Sequence, residues 1–151
     1  MVILDEKGLS GMVKRLLDLI LLLGAAMIIG LPFIVKWYAN ILHETTSYWF
    51  LLPFLYVTGI LALLIVYQIR RIFKTLNRRN PFKMDNVNSL KRVAFSSFGI
   101  TAAYAVKIIF FNSFLTIVLA MAFFIAGLFC IILAEVFRQA VTVKEENDLT
   151  V

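Results

Sequence analysis

The sequence predicts an all-α integral membrane four-helix bundle, two transmembrane hairpins joined by a basic helical segment. Three observations predict it. The chain has 151 residues, 62% hydrophobic and 16% charged, more apolar surface than a soluble domain of this size can hide. Its apolar residues gather into four stretches, 16–39, 48–67, 93–110 and 114–137. Each is long enough, or nearly so, for the roughly 20 helical residues that cross about 30 Å of hydrocarbon. Between the second and third, residues 69–92 hold eight of the fifteen Lys and Arg residues and one acid, Asp85. Strands of a membrane barrel alternate polar and apolar residues, and LLDLILLLGAAMIIGLPFIV does not.

The first stretch reads as a retained anchor. It is too long for a signal-peptide core, and no small-x-small cleavage pattern follows at WYANILHE. It joins the second through a short polar loop, 40–47, flanked by Trp37, Tyr38, Tyr48 and Trp49, the aromatic belt of a membrane interface. The second helix is expected to run about ten residues, or roughly 15 Å, past the bilayer. Ile69, Ile72, Phe73 and Leu76 recur on one helical face there, and Arg70, Arg71, Lys74 and Arg78 on the other. Asn80-Pro81 should end it, since Pro lacks a donor and disfavours helix at the residue before it. Asp85 is the expected N-cap of a restart running into the third stretch. The second hairpin turns around Asn112 and Ser113. The tail beyond residue 137 leaves three readings open: a disordered end, a clasp of Glu145, Glu146 and Asp148 on the basic segment, or a docking element.

Orientation follows the Lys/Arg bias of short loops. Thirteen basic residues fall with the two termini and the middle segment, and only Lys36 and Lys107 fall on the other side. The expectation is a multi-pass protein of the cell membrane with both termini cytoplasmic. Lys36 and Lys107 then snorkel to the outer interface.

Within the spans, Ala122, Ala126, Cys130 and Ala134 recur every fourth residue, and Gly99 with Ala103 repeats the spacing. Small residues at that interval let helices approach closely in lipid, either within one chain or in a homodimer. Asp18 and Glu135 stand at the basic end of their helices, where pairing with Lys91 or Arg92 is expected, Arg138 being a further cation three residues beyond Glu135. Ionisable groups inside a membrane often serve function, but these two sit at its edge. With one Cys and one His, a metal site of the usual spacing is not expected. The chain carries no phosphate loop, no HExxH, no GxSxG and no paired buried carboxylates. The sequence therefore predicts no enzyme and no cofactor. Direct nucleic-acid binding is not expected of the basic segment, which has few aromatics to stack on bases. Its minimal role is to sit on anionic headgroups, at about 1 kcal/mol per cation.

Two motifs carry a resemblance. NPF at residues 80–82 is followed by Asn86 and Leu90, and EVFRQA with KEENDLTV closes the chain. Together they resemble a family of small bacterial four-span membrane proteins of unknown function that includes YoaS-like proteins. The matching positions are Asn80, Pro81, Phe82, Asn86, Leu90, Glu135, Phe137, Asn147, Asp148, Leu149 and Thr150. Members are commonly encoded beside a small helix-turn-helix regulator, so the resemblance implies a membrane protein that binds or restrains a cytoplasmic DNA-binding protein. The docking candidates are Arg70, Arg71, Lys74, Arg78, Arg79, Asn80, Pro81, Phe82, Asn86, Asn147, Asp148 and Leu149. A small oligomeric transporter or channel, or a subunit of a larger membrane complex, are the alternative readings.

Overall fold

A computed structural model describes residues 8–42, 48–77, 82–111 and 113–150. They form four helices: α1 (Leu9–Leu42), α2 (Tyr48–Asn77), α3 (Met84–Phe110) and α4 (Phe114–Thr150). Each is long and apolar enough to cross a membrane, which is the architecture of a multi-pass membrane protein. Of the predicted loop 40–47, residues 40–42 are instead the last turn of α1, and 43–47 lie outside the described residues, as do Asn80-Pro81 and the turn residue Asn112.

The helices pack in chain order, α1 on α2, α2 on α3 and α3 on α4, and no other pair shares more than a marginal contact. The faces of α2 explain this. Gly59 and Leu63 meet Ile28 and Gly24 of α1. Phe54 and Leu61 meet Tyr104 and Gly99 of α3. At 100° per residue these two sets lie on opposite sides of α2, so α1 and α3 flank it and the bundle is an open row.

All four helices overrun the predicted spans, α1 running from Leu9 to Leu42 against the expected 16–39. α2 continues ten residues past Tyr67, as its amphipathic pattern predicts. α3 runs unbroken from Met84 through the third stretch. Its N-cap is Lys83, not Asp85: Lys83 is extended, and its carbonyl already accepts from the amides of Asn86 at 3.0 Å and Val87 at 3.3 Å. Asp85 lies instead in the first turn, where a carboxylate answers the positive end of the helix dipole. α4 continues through the tail to Thr150, so the described tail is helical rather than disordered. No Pro or Gly occurs after Gly127 to stop it.

One buried cluster lies where α2, α3 and α4 meet at the basic end. Val87, Leu90, Ala134 and Val141 form a core, with Ile72, Leu133 and Phe137 packed against it. Asn86, 1% exposed, donates from Nδ2 to Thr75 Oγ1 at 2.6 Å, tying α3 to α2. Removing one partner of a buried hydrogen bond costs about 1–3 kcal/mol. Asn86→Ala is therefore expected to lower stability in mixed micelles by about that amount. Adding Thr75→Val should recover part of the loss, and simple additivity of the two variants would show that the bond contributes nothing.

Within the chain the four-residue ladder is only partly used between α3 and α4, and its exposed part is left to the homodimer alternative. Ala122 and Ala126 are exposed, Cys130 is half-buried and Ala134 is buried. The buried positions of α4 are Thr116, Ala120, Gly127, Ala134 and Val141. A strict four-residue interval drifts around the helix by 40° per step, whereas alternating threes and fours stay on a partner helix. Gly127 lies at the closest approach: a Cβ there would stand 2.7 Å from Cε1 of Phe98. Gly99 faces Leu61 of α2 instead, and Ala103 lines a shallow apolar depression between α2 and α3.

Candidate functional site

The features that sequence reading marked as functional collect at the basic end, where α2, α3 and α4 continue beyond the spans. Phe82 leads into α3 and packs edge-on against Phe137 of α4, ring centroids 5.6 Å apart. A groove of about 480 Å³ opens beside it, walled by Phe82 and by one face of α4: Gln139, Ala140, Val143, Lys144, Asn147 and Asp148. The helical tail makes this groove, because a helix brings residues 140, 143, 144 and 147 onto one face. Phe82, Met84 and Val143 leave apolar surface exposed around it.

Of the predicted docking residues, the groove unites Phe82, Asn147 and Asp148. Leu149 is exposed near the end of α4. Lys74 is exposed on α2, and Arg70 and Arg71 are half-buried there. Asn86 is not available to a partner, because the phase of α3 turns it into the α2 contact. Arg78, Arg79, Asn80 and Pro81 lie outside the described residues.

The expected ion pairs are rearranged. Asp18 accepts from Nε of Arg70, joining α1 to α2, and not from Arg92. Glu135 is held on its own helix by Arg138, at 2.9 Å from Nε and 2.5 Å from an amino group, and by Gln139 Nε2 at 3.3 Å. Pairs within one helix form wherever i and i+3 face the same side, so Glu135 finds Arg138 before a cation of α3. Among the described residues no ion pair joins Glu145, Glu146 or Asp148 to the cations of α2. Lys107 sets its ammonium over the Phe54 ring, 5.3 Å from the centroid, a cation–π contact.

Sequence reading passed over Thr75, Ser89 and Gly127, whereas Val87 stands with Leu90 and Ala94 on the expected run of the restarted helix. A usable signal existed for two of the three: Ala120, Gly127 and Ala134 repeat every seven residues, and Asn86, Ser89, Val93, Ser97 and Ile100 recur at intervals of three or four along α3. Thr75 carries no such mark.

The arrangement is a packed basic end of the bundle bearing a mixed apolar and polar groove, with cations on α2 and acids toward the end of α4. No curated protein and no solved structure matches the chain. The profile of the family described as "Protein of unknown function (DUF2975)" matches residues 37–151, and the chain belongs to that family.

Proposed function

We propose that this protein is a membrane-anchored interaction protein of the bacterial cell membrane. Its basic end and both termini face the cytoplasm, and the groove between Phe82 and α4 docks a soluble partner. The observation that carries this reading is where the burial lies. Val87, Asn86 and Ser89 are at most 1% exposed, and all three precede the third apolar stretch at Val93. Packed against Leu90, Ala134 and Val141, they give that end of the bundle the rigid support a docking surface needs. The YoaS-like resemblance supports a helix-turn-helix regulator encoded beside the protein as the partner class, and the Lys/Arg bias supports the orientation.

The test is co-purification of the full-length protein with that regulator from native membranes. Val143→Asp, on the groove wall, and deletion of residues 144–151 are each expected to abolish it while the protein stays membrane-inserted. Retention of the regulator by both variants would refute the reading.

A further inference from the structure

The first hairpin carries a proline in each of its helices, and both lie at one depth. Pro32 is inside α1 and Pro53 inside α2. Gly24 of α1 faces Leu63 of α2, and Ile28 faces Gly59. That antiparallel register sets Pro32 level with Leu55, two residues or about 3 Å from Pro53. A proline has no amide donor and crowds the carbonyl four residues back, so each helix is weakened at that turn. The carbonyls that lose a helical donor are those of Ile28 and Trp49.

Neighbouring residues loosen the same level. A Cβ on Gly30 would meet nothing nearer than Ile34 of its own helix, at 3.8 Å. Packing therefore does not call for glycine there, as it does at Gly24, where a Cβ would stand 2.5 Å from Leu63. What Gly30 adds is backbone freedom, two residues before the proline. On α2, Thr58 Oγ1 donates to the Phe54 carbonyl at 2.9 Å, a back-bond that bends helices.

The two sides of this level are held differently. Toward the basic end, α1 and α2 are locked by Gly24 on Leu63, Ile28 on Gly59 and the Asp18–Arg70 pair. Beyond Pro32, Val35 is the one buried residue of 33–41. It follows Ile28 by seven residues and so lies on the side of α1 that faces α2, which keeps the two arms of this end together. Phe50 sets this end against α3, its ring centroid 5.6 Å from that of Phe110 and 5.2 Å from that of Phe111. Such ring contacts can slide without stranding a polar group. We propose that the far end of the first hairpin, α1 beyond Pro32 with α2 before Pro53, is a hinged cap that swings as one unit about the two prolines. The apolar groove lined by α1, α2 and Tyr104 ends at Leu31 and Leu55, level with the hinge. The swing therefore sets how widely that end of the groove opens, in the manner of hinged closures that turn on a few residues.

Distances between nitroxide labels, measured by double electron–electron resonance on the full chain in nanodiscs, test it. Cys130→Ala removes the native thiol. Labels at Tyr38→Cys and Phe114→Cys, both exposed positions, report the cap against the start of α4. Labels at Leu19→Cys and Ile132→Cys, also exposed, report the locked part of the hairpin against the same helix. The cap pair is expected to show a wider distance distribution than the locked pair. Pro32→Ala with Pro53→Ala should narrow the cap pair to the width of the locked pair and leave the locked pair unchanged. Alanine favours helix, so this variant removes the bend without threatening the fold. Phe50→Ala, which frees the cap from α3, should widen the cap pair further. A cap pair as narrow as the locked pair in the otherwise unaltered chain, or a width that the double proline variant leaves unchanged, would overturn the proposal.

Discussion

Gly127→Leu is expected to separate α3 from α4 and to lower the midpoint of thermal unfolding in detergent. Gly127 is buried, and a Cβ there would meet three atoms of the Phe98 ring at 2.7–3.0 Å. The ring cannot turn aside freely, since it also packs on Phe124 with centroids 5.8 Å apart. Even one added carbon overpacks the contact, at about 1–3 kcal/mol, and a leucine must push the two backbones apart. Lipid offers no compensating drive, because helices associate in a bilayer through close packing and not through the hydrophobic effect. The control is Ala126→Leu, one residue away and exposed, where a change within about 0.5 kcal/mol is expected. A larger loss from Ala126→Leu than from Gly127→Leu would restore the four-residue seam and reject the one described.

That contrast also shows where sequence reading succeeds and where it fails. The four helices were legible because length and hydropathy set what crosses a bilayer, and the overrun of α2 was legible because Ile69, Ile72 and Phe73 stand against Arg70, Arg71 and Lys74. Inside the bilayer the signal weakens. An apolar residue that faces lipid is no different in composition from one that faces a helix, so Ala122 and Ala126 could not be told from Ala120 and Ala134 by type. Only the interval separates them, and a four-residue ladder is easily mistaken for the alternating three and four of a sustained seam. Asn86 failed for a related reason. A polar residue in a basic segment reads as surface until the phase of α3 turns it onto Thr75. The candidate groove at the tail was half legible: Phe82, Asn147 and Asp148 were marked, but their convergence depends on α4 remaining helical to Thr150, which follows from the lack of a breaker after Gly127.

Val87→Asp is expected to loosen the packed basic end of the bundle while leaving the protein inserted. Val87 is fully buried, 0% exposed, among Leu90, Ala134 and Val141, and it precedes the third apolar stretch by six residues. In the proposed orientation this end of the bundle meets headgroups and water, where the hydrophobic effect adds to close packing. A carboxylate in that core has no cation within it and costs several kcal/mol to desolvate. A core of seven apolar side chains has little reserve against such a cost. The spans are held by a separate term, the transfer of their apolar length into lipid, and should remain resistant to alkaline extraction. Limited proteolysis in membranes reads the difference. In the wild type, Arg70, Arg71 and Arg138 lie in continuous helix and should be cut slowly. In Val87→Asp they should be cut rapidly, and binding of the regulator should fall with them. Unchanged protection would mean that this end of the bundle is not held by this core, and the rigid support on which the docking reading depends would go with it.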